Sequence, residues 1–242
     1  MRYAIFSDVH SNLEALEAVV SACKKESIDK YFCAGDIVGY AASPNKCVEI
    51  VRQLAMITVA GNHDWAAVDL FSLDYFNPDA RDSLLWTKRA LTPESKVFLE
   101  SLTPVYQNNE LTLVHGTLNN PREFNYLQDV SSAEESFLLQ DTAVCFLGHT
   151  HIAGVFTRGS EGKISYSSQT LVKLGQGNKY IVNVGSVGQP RDLDPRPAYC
   201  VYDTQKKTIK IQRVSYDIKS ARNRIIEAGL NHSLGNRLLD GR

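Results

Sequence analysis

The stretch Phe146-Leu147-Gly148-His149-Thr150-His151-Ile152 closes an apolar run beginning at Ala143 with a glycine and two histidines one residue apart. A short, continuous apolar run reads as a strand buried on both faces. Its exit delivers two imidazoles to the carboxyl edge of a sheet, where ligands bind in open α/β folds. The pattern recurs. Ala4-Ile5-Phe6 runs into Ser7-Asp8-Val9-His10, and Tyr31-Phe32-Cys33-Ala34 into Gly35-Asp36. Met56-Ile57-Thr58-Val59-Ala60 runs into Gly61-Asn62-His63-Asp64, and Leu111-Thr112-Leu113-Val114 into His115-Gly116. One histidine at a strand end is an ordinary turn residue. Here, of the 6 histidines in the chain, only His232 lies outside these exits. Chance scatter does not do that, so the remaining sequence reads as the scaffold of a metal site.

The 242 residues suffice for one large domain, and we take 1–242 as one unit. A chain of this length buries about 70–75% of its extended surface, enough for a stable core. Charged residues make up 22% and the net charge is −1, so no strong field draws nucleic acid or anionic lipid. The 5 cysteines form no CxxC pair, and several sit in apolar runs as small buried hydrophobes. A reducing compartment follows, without disulfides. The first strand begins at Arg2–Tyr3, which leaves no room for a signal peptide, and no apolar run reaches membrane-spanning length. The expected location is the cytoplasm.

Outward from the site, residues 2–7 are a buried strand, followed by Leu13, Leu16, Val19, Val20 and Cys23 at helical spacing, with Ser11 or Asn12 as cap. A strand at 31–34, a helix from Pro44 to Leu54 and a strand at 56–60 complete a right-handed βαβαβ start and a parallel sheet. From Trp65 to about Leu102 the pattern is helical, with starts at Asn77-Pro78 and Thr92-Pro93; this insertion, 65–102, lies near the site and is a candidate lid. Strands resume at 111–115. A capping box at Ser131-Ser132-Ala133-Glu134-Glu135 opens a short helix that leads to the strand at 143–147. The remainder reads as antiparallel strands at 152–157, 163–167, 170–174, 180–184, 198–203 and 208–215, then a helix from Asp217 to Ala228 stopped by Gly229. The tail carries weak signals.

Seven candidate ligands emerge: Asp8, His10, Asp36, Asn62, His115, His149 and His151. All are oxygen or imidazole donors. Without thiolates they suit Mn, Fe, Zn, Ni or Mg rather than a structural zinc site of the cysteine type. Seven are too many for one tetrahedral ion. With one bridging carboxylate they suit two, and two ions about 3.5–4 Å apart can hold a phosphate and a bridging hydroxide between them. Lowering the pKa of that water supplies a nucleophile near neutral pH.

These residues also carry a resemblance. Asp8-Val-His10, Gly35-Asp36-Ile-Val-Gly39, Gly61-Asn62-His63-Asp64, His115-Gly116 and Gly148-His149-Thr-His151 resemble, in order and spacing, the five motifs of the calcineurin-like metallophosphoesterases. The likeness runs on through Asn183-Val-Gly-Ser-Val-Gly-Gln-Pro-Arg191 to the closing helix, and is nearest the compact bacterial and archaeal phosphodiesterase-type branch. It implies an α/β fold, a four-layer αββα sandwich of two mixed sheets flanked by helices. It further implies two divalent metal ions, manganese foremost. Asp8, His10, Asp36 and His151 would hold the first. Asp36 would bridge to a second, held by Asn62, His115 and His149. His63 would act on the phosphate, stabilising charge or protonating the leaving oxygen, and Asp64 would orient its ring.

The function so implied is hydrolysis of a phosphodiester or phosphoanhydride by a metal-bridging hydroxide, with no covalent phosphoenzyme. The same centre would serve a phosphomonoesterase or a protein serine/threonine phosphatase, since the pocket sets the substrate. A binding module on this fold would need replaced site residues, and here the set is complete. Near-neutral charge argues against a nuclease. The expected partner is a phosphorylated small molecule or nucleotide, with no membrane; exposed strands in the second half leave pairing between copies open. Tyr40, Arg122, Tyr126 and Arg191 are candidates to line the substrate cleft. For Arg191 the alternative is a surface ion pair with Asp192 or Asp194.

Overall fold

Along the first strand, β1 (Arg2–Phe6), Tyr3 and Ile5 enter one apolar cluster, and Ala4 and Phe6 another. Successive side chains point to opposite faces of a strand, so β1 is covered on both sides, as its unbroken apolar sequence predicts. The computed structural model describes residues 1–54 and 57–242. It contains two mixed six-stranded sheets, packed through a shared core and flanked by helices. This is the four-layer αββα sandwich that the resemblance implies.

The first sheet starts as expected. After β1 come α1 (Leu13–Lys24), β2 (Lys30–Cys33), α2 (Pro44–Leu54) and β3 (Ile57–Thr58), and the three strands pair in parallel. Asn12 is the α1 cap, its Oδ1 accepting from Ala15 N. The strand expected over 56–60 is shorter: Met56 lies outside the described residues, and Val59 makes an isolated bridge to Thr103. Next come α3 (Asn62–Ala66), a 3-10 turn at Leu73–Tyr75, α4 (Pro78–Ala90) and α5 (Pro93–Glu100). Asn77 and Thr92 cap α4 and α5, each with proline in the first turn, where a missing N–H costs no hydrogen bond.

The second sheet opens with β4 (Val105–Gln107), a three-residue edge strand too short and too exposed to show in the sequence pattern. It continues with β5 (Thr112–Val114), α6 (Val130–Leu139) and β6 (Val144–Leu147). The α6 cap is Asp129, ahead of the capping box expected over Ser131–Glu135. Asp129 Oδ1 accepts from Ser132 N, and Ser132 Oγ accepts from Asp129 N, so a serine fills the role assigned to glutamate. Then follow β7 (Gly154–Arg158), β8 (Ile164–Ser167), β9 (Leu171–Lys173), β10 (Lys179–Asn183), β11 (Ala198–Asp203) and β12 (Thr208–Arg213).

One pairing, β10 with β6, departs from the all-antiparallel expectation, and another, β9 with β12, keeps it but crosses to the other sheet. β9 leaves β8 and joins β12 in the first sheet. β10 inserts between β6 and β7, parallel to the first and antiparallel to the second. An apolar strand carries no mark of its neighbours' direction, so the sequence could not distinguish these. The consequence is functional: β10 ends at the same edge as β6, bringing the loop after Asn183 beside His149 and His151.

Tyr3, Ile5 and Phe32 from one sheet meet Leu113, Phe146 and Val182 from the other in the central core. α1 and α2 cover the outer face of the first sheet, and Phe137 of α6 covers the second through Cys145 and Ile181. α7 (Ile218–Glu227) packs Ala221 and Ile225 on Leu234 of α8 (His232–Asn236), which the weak tail signals did not reveal. His232 itself is exposed. All 5 cysteines are free and buried. No helix among the described residues is long and apolar enough to cross a membrane.

Candidate metal centre

Five of the seven candidate ligands leave their strands through left-handed backbone: Asp8 (φ 54°), His10 (φ 48°), Asp36 (φ 54°), His149 (φ 68°) and His151 (φ 62°). That conformation costs an L-residue roughly 1–2 kcal/mol, and such strain gathers where a site over-determines the backbone. Here lacing between loops holds it. Asp8 N donates to Gly35 O and His10 N to Asp36 O, tying the β1 exit to the β2 exit. Val187 N and Gly188 N donate to Ser7 O and Asp8 O, adding the β10 exit to the same lattice.

The result is two clusters sharing a wall, with a third group, His10, Asp36 and His63, spanning them. Asp8, His10 and His151 bring ligand atoms within 4.8 Å of one another, and so do Asp36, His115 and His149. All are buried. Asp36 Oδ1 accepts from His63 N at 2.9 Å. Its other oxygen, Oδ2, lies 3.6 Å from His10 Nε2 in one cluster and 3.3 Å from His115 Nε2 in the other. Asp36 therefore stands between them. Asp8 Oδ1 lies 3.1 Å from His151 Nε2, and both Asp8 oxygens accept from His149 N. A Cβ on Gly148 would fall 2.1 Å from Asp8 Oδ2, so the glycine before His149 leaves room for the carboxylate.

Three rings are fixed from behind. His10 Nδ1 donates to Val38 O, His115 Nδ1 to Ala34 O and His151 Nδ1 to Gln189 O. A carbonyl only accepts, so each Nδ1 carries a proton and each ring turns its Nε2 inward, bare wherever the ring is neutral. His10 Nε2 then faces His151 Nε2 at 3.0 Å, and His115 Nε2 faces His149 Nδ1 at 3.1 Å. Lone pairs so placed call for a proton or a cation between them. The Oδ1 of buried Asn62 has no hydrogen-bond partner among the described residues and borders the same space. By its donors, this set fits divalent cations.

Electrostatics agree. Burial alone would raise Asp8, yet the surrounding imidazoles, His151 foremost with His10 and His115, hold it well below the usual carboxylate range. Asp36 is likewise held low against burial, by His115 and His63. Burial lowers His149 to about 3, helped by the charge of His115, and lowers His151 to about 4, helped by Arg191. Burial also lowers His115, but Asp36 outweighs it and raises that ring to about 9. His149 and His151 thus offer lone pairs at neutral pH and both carboxylates offer charge.

His63 sits above this floor. Its ring packs 4.6 Å from Tyr40, 4.8 Å from His10 and 4.8 Å from Phe76. A Cβ on Gly39 would fall 2.4 Å from its Nδ1, so the ring needs that glycine. Nδ1 has no hydrogen-bond partner among the described residues. Burial holds the ring well below its usual value, against the pull of Asp36. Asp64 does not orient it. Asp64 Oδ1 accepts from Ile37 N and Val38 N, and Oδ2 from Gly61 N. The expected ring contact is replaced by a clamp joining the Asp36 and Asn62 loops. Burial and the charge of Asp36 push this carboxyl up to about 7.

A cavity of about 60 Å³ opens over Asp36, Asn62, His63, His149 and His151. Tyr40, Tyr126 and Arg191 line it; Arg122 does not, lying instead 5.3 Å from the Trp65 ring. Arg191 donates through Nη2 to Tyr40 Oη and Gln189 Oε1, and its buried Nε has no partner among the described residues. Asp192 pairs with Arg213 and Asp194 with Arg196, so neither takes Arg191. Tyr126 stacks on His149, centroids 3.9 Å apart and planes at 10°. The insertion adds Tyr75, Phe76, Asn77 and Ala80 to the lining. These four were missed, because their apolar or capping character reads as local structure. The loop from Asn183 to Arg191 was flagged as a stretch, without its work: Gln189 O holds His151, and Ser186 Oγ donates to Asp8 O.

Residues 1–207 match the model of the calcineurin-like phosphoesterase superfamily domain. An uncharacterized protein of Methanocaldococcus jannaschii is 40% identical over 243 residues, covering 99% of this chain and 98% of its own. The crystal structure of a metallophosphoesterase from Sphaerobacter thermophilus is 40% identical, with a TM-score of 0.88 over 100% of this chain and 99% of that one. A hypothetical protein from Pyrococcus horikoshii OT3 shares the fold, at 19% identity and a TM-score of 0.81, over 100% and 98% of the two chains.

Proposed function

Because the chain belongs to the calcineurin-like phosphoesterase superfamily, we propose that it hydrolyses a phosphodiester or phosphoanhydride by direct attack of water at a dinuclear metal centre. Asp8, His10, Asp36 and His151 would hold one divalent cation, and Asp36, Asn62, His115 and His149 the other. Manganese is the first choice on the family resemblance; the donors, nitrogen and oxygen without thiolate, suit Fe, Zn, Ni or Mg as well. Bound there, two cations would neutralise phosphate charge and lower the pKa of water. The observation that carries the reading is Asp36 Oδ2, placed 3.6 Å and 3.3 Å from imidazole nitrogens of two separate clusters.

The chain's own groups divide the remaining work. Arg191, with its unpartnered Nε, would bind a phosphate oxygen and fix its approach. His63 is held neutral by burial in the free protein, so it becomes an acid only when phosphate charge arrives beside it. It would then deliver its proton to the leaving oxygen. Phe76 and Tyr40 enclose its ring and keep bulk water away.

The test is hydrolysis of bis-p-nitrophenyl phosphate beside p-nitrophenyl phosphate, in Mn²⁺. Metal-dependent cleavage with preference for the diester is the expected result. Preference for the monoester would transfer the assignment to a phosphomonoesterase. Cleavage of neither, by protein carrying its full metal complement, would remove the catalytic reading for these ester classes.

A further inference from the structure

Tyr126 and Arg191 line the small cavity over the carboxylates and also a second one of about 510 Å³. The larger space is walled by Leu127, Ile152, Phe156 and Tyr166, lies within the range of small-molecule sites, and belongs to no part of the metal centre. Tyr126, Ile152 and Tyr166 are 48%, 44% and 48% exposed. Three large apolar side chains left half open around one hollow are unusual for a surface that has had the chance to bury them.

The hollow has a built floor. Phe156 is buried at 3% exposure, with the Tyr166 ring 4.9 Å away at 50°. Tyr166 lies over β7 because Gly154 permits it: a Cβ there would fall 2.4 Å from the tyrosine Oη. On the side towards the metal centre, Tyr126 is held flat by its stack on His149, which leaves its remaining surface as a fixed aromatic wall. The Arg191 guanidinium closes the boundary, placed to hold an anion between the two spaces.

We propose that this cavity binds the organic substituent of the substrate, and that the substituent is a planar ring system of nucleobase size. A phosphate over Asp36 and Asn62, gripped by Arg191, would project one ester arm past Tyr126 into the hollow. Aromatic walls bind π-faces without demanding a hydrogen-bond pattern, so the site selects flat aromatic arms over small alkyl ones. The proposal rests on the phosphoesterase reading above, and extends it to a nucleotide class of substrate.

The experiment is calorimetric titration of the metal-loaded protein with adenosine 5′-monophosphate, ribose 5-phosphate and inorganic phosphate. It is run on the unmodified chain, Tyr166→Ala and Tyr166→Phe. The base is expected to add about tenfold in affinity over ribose 5-phosphate, in keeping with one stacked base. Tyr166→Ala should bring that ratio towards one, and Tyr166→Phe should retain it, while phosphate affinity stays the same in all three. Equal affinity for adenosine 5′-monophosphate and ribose 5-phosphate in the unmodified chain overturns the proposal. So does a ratio unmoved by Tyr166→Ala, or a change in oligomeric state on that substitution, which would make the hollow a contact between copies. Cleavage of bis-p-nitrophenyl phosphate, measured in parallel, judges the phosphoesterase reading separately: its loss with the binding ratio intact fails that reading and leaves the aromatic site standing.

Discussion

His10 and His151 point their Nε2 atoms at each other across 3.0 Å, while each commits its Nδ1 proton to a backbone carbonyl behind it. The two donors come from strand exits 141 residues apart in sequence. No rearrangement of the rings relieves the contact, because Val38 O and Gln189 O fix both tautomer and orientation. Charge must arrive from outside.

Removing metal should therefore destabilise the fold as well as stop turnover. A cation held about a thousandfold above its dissociation constant contributes about 4 kcal/mol. Thermal unfolding with and without EDTA should show a marked fall in midpoint, reversed by Mn²⁺, and elemental analysis of the native protein should find about two divalent ions per chain. An unchanged midpoint together with metal-free protein would sink the centre.

Asp36→Asn tests the shared wall. The amide oxygen can still accept from His63 N, as Asp36 Oδ1 does at 2.9 Å, so the loop should keep its shape. The amide nitrogen would replace Oδ2, exchanging an anionic acceptor for a donor facing His10 and His115. Diester turnover should fall by about 10²–10³-fold or more, with the circular dichroism spectrum unchanged and metal occupancy reduced. Full metal occupancy in the variant would remove Asp36 from the bridging role.

Much of this centre was legible before the fold, for a physical reason. The parallel strands of each sheet end at one edge, and the packing of the two sheets sets those edges side by side, so Asp8, Asp36, Asn62, His115, His149 and His151, each just past an apolar run, come together. What the sequence could not carry was anything set by backbone acceptors or by strand direction. Val38 O, Ala34 O and Gln189 O orient three imidazoles, yet a carbonyl leaves no mark in a sequence. Asp64, next to His63, looked like its partner; helix α3 instead turns that carboxylate back onto Ile37, Val38 and Gly61. The parallel direction of β10, which seats Arg191 beside Tyr40, likewise depends on which strands it meets.

His63→Ala separates leaving groups. A proton donor matters when the departing oxygen is a poor leaving group, and contributes about 10²–10⁴-fold there. p-Nitrophenolate departs without a proton. The loss should therefore be large for an alkyl phosphodiester and small for bis-p-nitrophenyl phosphate, compared as kcat/KM for both. Equal losses would assign His63 to phosphate charge rather than to proton delivery.

Asp64→Asn distinguishes a clamp from a ring-orienting residue. The native carboxylate accepts three backbone N–H bonds, two on Oδ1 at 2.8 Å and 3.2 Å and one on Oδ2 at 3.0 Å. An amide has one accepting oxygen, so its NH₂ must face at least one of those donors, in a site with no access to water. Leaving a buried donor unsatisfied costs about 1–3 kcal/mol. The urea midpoint should fall accordingly, and metal affinity with it, because Ile37 and Gly61 immediately follow and precede two of the proposed ligands, Asp36 and Asn62. A residue that only oriented His63 would behave otherwise: stability and metal content would be retained, and the leaving-group dependence of the His63 variant would be reproduced. Unfolding and metal binding measured on one preparation decide between them.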